Sequence, residues 1–251
     1  MKRRIFVGVA ALSLMVAASG SYGLQPAAGD SATGDSATGD GASDDGTSDD
    51  SIVWKIDNLK QIGGHEVQVV GNPRVVDVAG GKAVEFDGLD DAIFLNVHPL
   101  AGARQFTVEV VFRPDADGPA EQRFFHMQED QSDNRVLFET RLTNDRQWFL
   151  DTFIMSGVGN HALFAERFKH PVGPWYHAAI VVDDKEMRHY VDGKQEMAMK
   201  LDYQPQSMGK TSLGVRINKV YWFKGAIRTA RFTRRVLKPN EFISTGLARK
   251  P

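Results

Sequence analysis

From Ser51 onward, apolar and polar residues alternate in short runs, and turn residues separate the runs. "HEVQVV" precedes "GNP", "RVVDVA" precedes "GG", and "KAVEF" precedes "DGLDD". The series continues through "AIFLNV", "FTVEVVFRP", "QRFFHMQ", "RVLFETRL", "WFLDTFI", "ALFAERF", "WYHAAIVV", "MRHYV", "TSLGVRIN" and "AIRTARFT". A period of two bounded by Gly, Pro, Asn and Asp predicts strands. No long segment carries a helical period; "KPNEFIST" (Lys238–Thr245) predicts one helical turn. Many strands with almost no helix predict an all-β fold: two packed antiparallel sheets forming a sandwich.

Strand parity assigns the faces. In "RVLFETRL", Val136, Phe138, Thr140 and Leu142 share one side, and Arg135, Leu137, Glu139 and Arg141 the other. In "RFFHMQE", His126 and Gln128 are expected on the side of Phe124. In "LGVRINKV", part of an expected strand, Leu213, Val215 and Ile217 alternate with Arg216 and Asn218. Several strands therefore pair an apolar face with one carrying Arg, His, Glu and Asn, residue types of binding surfaces rather than of bland solvated ones. The candidate ligand set is Arg135, Glu139, Arg141, His126, Gln128, Arg216 and Asn218, with Asp151 from the expected neighbour "FLDTF".

The first 50 residues have a different character. Residues 1–23 have the layout of an export signal peptide: Lys2, Arg3 and Arg4, an apolar stretch Ile5–Ala18 too short to span a bilayer comfortably, then small residues. Residues 24–50 form an acidic low-complexity linker of Gly, Ser, Ala, Thr and Asp with little to bury, expected to be a disordered spacer. That leaves 51–248 as the folded domain. The signal-like start carries three positive charges and the linker seven aspartates. Taking both from the formal net charge of −2 leaves about +2 on Ser51–Pro251. A near-neutral domain argues against a nucleic-acid partner, which usually requires a strong basic excess. Later apolar runs are too short to span a membrane. With no cysteine, the fold relies on its core. The reading is of an exported protein, periplasmic, extracellular or at the cell surface, whose sequence sets no oligomeric state.

Four segments, in order, resemble a LamG-like, concanavalin A-like jelly-roll domain. They are "FDGLDDAIFL" (Phe86–Leu95), "FTVEVVFRP" (Phe106–Pro114), "GPWYHAAIVVDDKEMRHYVDG" (Gly173–Gly193) and "GAIRTARFTRRVLKPNEF" (Gly225–Phe242). Phe112 stands where the pattern usually has Trp. The resemblance implies a jelly-roll sandwich over nearly all of Val53–Phe242. It leaves function open, because the same fold hosts lectins, adhesion modules, glycosidases and polysaccharide lyases.

Three chemistries remain in view. Asp87, Asp90 and Asp91 bunch around Gly88 and offer hard oxygen ligands suited to a structural Ca²⁺, although Asp and Gly also simply make turns. Glycoside hydrolysis needs two facing carboxylates, for which Glu139 and Asp151 are available. The arginines near Glu139 are expected to lower its pKa, which suits an ion pair better than a general acid. Eliminative cleavage of an acidic polysaccharide needs a cation and a proton shuttle. If the polar face is a cleft, Glu139, His126 and His177 are the candidate catalytic residues. The histidines lack zinc-site spacing, and no nucleophile elbow or phosphate loop is present. The first expectation is a secreted, non-catalytic, carbohydrate-binding module for an extracellular polysaccharide or glycan. The alternative is a small glycoside hydrolase or polysaccharide lyase, with a protein-binding adhesion module as a third class.

Overall fold

The computed structural model describes residues 50–157 and 159–244. The expected signal peptide and all of the linker except Asp50 lie outside the described residues, as does the end of the domain after Ser244. In chain order the strands are β1 (Ser51–Lys55), β2 (Gln61–Ile62), β3 (His65–Glu66), β4 (Gln68–Val70), β5 (Arg74–Val78) and β6 (Gly81–Asp87). Then come β7 (Ala92–Leu95), β8 (Phe106–Pro114), β9 (Glu121–Glu129), β10 (Arg135–Leu142), β11 (Gln147–Ser156) and β12 (Gly159–Phe164). The series closes with β13 (His170–Pro171), β14 (Tyr176–Val182), β15 (Glu186–Val191), β16 (Lys194–Lys200), β17 (Gly209–Leu213) and β18 (Lys224–Thr233). The expected helical turn is a short 3₁₀ segment, Pro239–Glu241.

All pairings are antiparallel. One sheet runs β16-β15-β14-β8-β18-β6-β5, with β1 also on β18. The other runs β12-β11-β10-β9-β17-β7-β4, with β13 also on β11. These will be called the back and front sheets. Their inner faces meet in an aromatic core. Phe112 stacks on Phe124 with centroids 4.1 Å apart and meets Trp148 edge-on at 5.2 Å. Phe125 packs edge-on to Phe138 at 5.9 Å, and Trp54 to Phe232 at 4.7 Å. Phe112 thus supplies the ring for which the related pattern uses Trp. Among the described residues, no helix is long and apolar enough to cross a membrane.

Candidate functional site

The outer face of the front sheet collects most of the predicted polar residues. β10 behaves as its parity requires: Val136 and Phe138 enter the core, which turns Arg135, Leu137, Glu139 and Arg141 outward. Register places Glu139 opposite Asp151 on β11 and opposite Arg123 on β9, and Arg135 opposite Gln128. A β-bulge between Phe138 and Glu139 breaks the parity of β9. Phe124 and Phe125 both enter the core, so His126 and Gln128 lie on the side opposite Phe124, contrary to the sequence expectation. The extra residue of a bulge causes this: beyond it the strand changes face. It also turns Arg123 outward, which simple alternation does not reveal.

Here five charges form one network. Glu139 Oε2 accepts from Arg123 Nη2 at 2.8 Å and from Arg141 Nη2 at 3.2 Å. Asp151 Oδ2 accepts from Arg141 Nη2 at 2.7 Å and Nε at 2.9 Å. Glu121 closes the network, at 3.2 Å from Arg123 and 2.5 Å from Arg141. Glu139 and Asp151 are 3% and 5% exposed, so the guanidiniums cap the carboxylates. Aromatic rings back the caps: Tyr221 lies 3.6 Å from Arg123 and Phe164 5.6 Å from Arg141, distances at which ring and cation attract. The expected lowering of the Glu139 pKa is overturned. Burial first, then the Asp151 charge, pushes it up to about 7 against the pull of both arginines. Burial likewise raises Asp151. A buried carboxylate is costly to ionise even beside a cation.

β17 stops at Leu213; Arg216 and Asn218 do not lie on a strand. Gly214, at φ +82°, turns the chain back over the front sheet, its N–H donating to the Phe124 carbonyl at 3.0 Å. The resulting loop seals His126, whose Nδ1 accepts the Ile217 N–H at 2.9 Å. It also delivers Tyr221, whose carbonyl accepts the Arg123 N–H at 2.9 Å. Lys219 and Tyr221 hold φ of +60° and +63°. That conformation is unfavourable for side-chain-bearing residues and persists only where surrounding contacts enforce it. Arg216 is half-buried and Asn218 exposed beside this face. No sequence pattern marks Tyr221, which reads as an ordinary residue between strands.

His177 belongs elsewhere. On the outer side of the back sheet its Nε2 is 2.9 Å from Glu109 Oε1, and its ring packs on Phe242 at 5.3 Å. Glu109 also accepts from Arg231 Nε and from the Ile243 N–H at 2.8 Å. His177 and Glu109 are 2% and 0% exposed, and both help anchor the C-terminal segment. The structure therefore does not bring His177 together with His126 and Glu139.

Asp87, Asp90 and Asp91 sit in the turn that carries the chain from back sheet to front sheet. One oxygen from each lies within 4.8 Å of the others. Asp87 Oδ1 accepts the Leu89 N–H at 2.8 Å and the Asp90 N–H at 3.2 Å. Asp91 accepts N–H groups from Asn72 at 2.6 Å and Asp87 at 3.0 Å, tying two sheet-crossing loops together. Burial and the Asp87 and Asp90 charges raise the Asp91 pKa, with hydrogen bonds opposing. Clustered carboxylates that repel one another, with lone pairs to spare, fit a hard divalent cation.

A family model described as the concanavalin A-like lectin/glucanases superfamily matches residues 86–242. No protein of curated function matches the chain. Among solved structures it is similar to domain 4 of AbnA, a GH43 extracellular arabinanase from Geobacillus stearothermophilus, in complex with arabinotriose. Identity is 20% and the TM-score 0.57, covering 76% of this chain and 94% of that one. A native heptameric SAP-like pentraxin from Limulus polyphemus is 17% identical with a TM-score of 0.52, covering 63% of this chain and 78% of that one. The binding domain of botulinum neurotoxin DC, in complex with SialylT, is 12% identical with a TM-score of 0.57, covering 77% of this chain and 49% of that one. This chain thus spans about half of the toxin domain, and at these identities the likeness is one of fold.

Proposed function

The chain belongs to the concanavalin A-like lectin/glucanases superfamily, and from that premise we propose that it is an exported, non-catalytic carbohydrate-binding module. It holds an extracellular glycan on the outer face of the front sheet. The observation that carries this reading is the engagement of Glu139 and Asp151 by one guanidinium: Arg141 Nη2 reaches both, at 3.2 and 2.7 Å. The space a water or glycosidic oxygen would need between two catalytic carboxylates is filled. What the face offers is guanidinium edges and aromatic rings held rigidly in place, the polar and apolar mixture that sugar rings require. The strained loop bearing Tyr221 supports the same reading, since backbone strain clusters at binding sites. Two similar domains were solved with saccharide ligands, arabinotriose and SialylT, which supports a glycan as ligand. Asp87, Asp90 and Asp91 would hold a Ca²⁺ whose role is to fix the sheet-crossing turn.

One observation favours a second reading. A carboxyl raised to about 7 beside a second buried carboxylate resembles the general acid of a glycoside hydrolase. A single experiment separates the two. Wild type and Glu139→Gln are screened for saccharide binding and for release of reducing ends and unsaturated sugars. Binding without release, retained in the variant, is the expected result; turnover abolished by Glu139→Gln would establish the hydrolase.

A further inference from the structure

The outer face has two halves of opposite electrostatic character. Around Glu139, arginines and carboxylates neutralise one another. Beyond Leu137 the balance fails. Arg135 donates from Nη1 to the Asp133 carbonyl at 2.7 Å and lies over the Phe153 ring at 4.7 Å, but its Nε is buried without a partner. Among the described residues, the Arg216 guanidinium has no hydrogen-bond or ion-pair partner. His126 joins them. Its Nδ1 accepts the Ile217 N–H, so in the neutral ring the proton sits on Nε2. His126 is 0% exposed, and that Nε2–H is buried with no acceptor. Every unmatched group here is a donor.

The groups are also close enough to feel one another. Burial first, then the charges of Arg216 and Arg135, holds the His126 pKa well below the ordinary range. Burial and Arg216 lower that of Arg135, against weaker opposing pulls from Asp133 and Glu139. Two guanidiniums that repel, beside a neutral donor, are what an incoming anion would relieve.

We propose that Arg135 and Arg216, set beside the buried His126, form an anion subsite that takes the carboxylate or sulfate group of an acidic saccharide. The planar fork of a guanidinium matches both groups. The subsite adjoins the guanidinium-and-aromatic half through Leu137, which pairs with Phe153 and His126. A saccharide lying along β10 would therefore place its charged ring here and a neighbouring ring over Arg141 and Phe164. Gln128, opposite Arg135, and the exposed Asn218 flank the subsite with groups suited to hydroxyls. The inference rests on the reading of this face as a glycan-binding surface.

The test is calorimetric titration of the full chain with three oligosaccharides of equal length: one bearing uronates, its carboxyl-reduced neutral counterpart, and a sulfated form. A charged form should bind at least about tenfold tighter than the neutral one, the effect of a charge-assisted contact. Which charged form binds tighter identifies the group. Arg216→Gln should collapse the ratio of charged to neutral affinity to about one. Arg135→Gln, checked for an unchanged thermal midpoint, should do the same. Equal affinity for all three ligands in wild type, or a charged preference that survives both substitutions, would overturn the subsite while leaving the glycan-binding surface standing. Failure of all three to bind would remove both.

Discussion

Replacing Glu139 with Gln separates the proton of the carboxylate pair from its shape. In the folded protein the Glu139 carboxyl titrates at about 7, raised from its ordinary 4.5. Below about 4.5 the folded and unfolded chains both hold the proton. Between the two values the folded chain keeps a proton that the unfolded chain has released, so stability falls as pH rises; above about 7 the loss is complete. At about 1.36 kcal/mol per tenfold change in proton affinity, that loss is roughly 3 kcal/mol. The glutamine variant has no such proton. Its stability relative to wild type should rise by roughly 3 kcal/mol across this window, or roughly 6–12 °C in midpoint for a domain of this size. Whatever Glu139→Gln costs by weakening the bonds to Arg123 and Arg141 is largely independent of pH and drops out of the comparison. Urea unfolding of both proteins at intervals from about pH 4.5 to about pH 8 measures the difference. A flat difference, or a wild type that gains on the variant as pH rises, would show that the arginines outweigh burial and that Glu139 is ionised throughout.

Chelator should lower the wild-type thermal midpoint by several degrees, because a cation at 100 times its dissociation constant adds about 2.7 kcal/mol; Asp90→Ala should abolish the response, and an unresponsive wild type would leave the acidic cluster as a turn only. Gly214→Ala combines a φ of +82° with a methyl group driven into the Phe86 ring, so it should cost more than about 2 kcal/mol by denaturant unfolding. Gly64→Ala, at φ +84° with open space around it, should cost only about 1 kcal/mol, and equal losses would refute the steric account. Tyr221→Gly removes the ring and relieves the backbone, whereas Tyr221→Ala removes the ring alone. The glycine variant should be the more stable by about 1 kcal/mol, and the reverse order would mean that no strain is held there.

Alternation reports faces reliably where the ladder is regular, and β10 is the case in point: Val136 and Phe138 inward, Arg135, Glu139 and Arg141 outward. It fails where one residue is inserted. Phe124 and Phe125 both enter the core because of the bulge opposite Phe138 and Glu139, and Arg123 reaches the site for the same reason. Nothing in "QRFFHMQ" distinguishes a bulged pair from one residue in and one out. The end of β17 was hidden for another reason. Val215 and Ile217 continue its alternation, but Gly214 takes a positive φ and the loop folds back over His126. The titration of Glu139 was likewise out of reach, because the sign depends on burial, a property of the folded sheet, competing with charges that the sequence does show. Asp50, the last residue of the expected spacer, is tied to the domain: its carboxylate lies 2.8 Å from Arg235 and its carbonyl accepts the Arg234 N–H at 3.2 Å.

A backbone-amide NMR titration with a saccharide that binds tests the glycan-binding face most directly. Shifts should concentrate in Arg123–Gln128 of β9, Arg135–Arg141 of β10, Asp151–Phe153 of β11 and the loop through Arg216 and Tyr221. Shifts confined instead to the sheet-crossing turn at Asp87–Asp91, with the outer face of the front sheet silent, would contradict it.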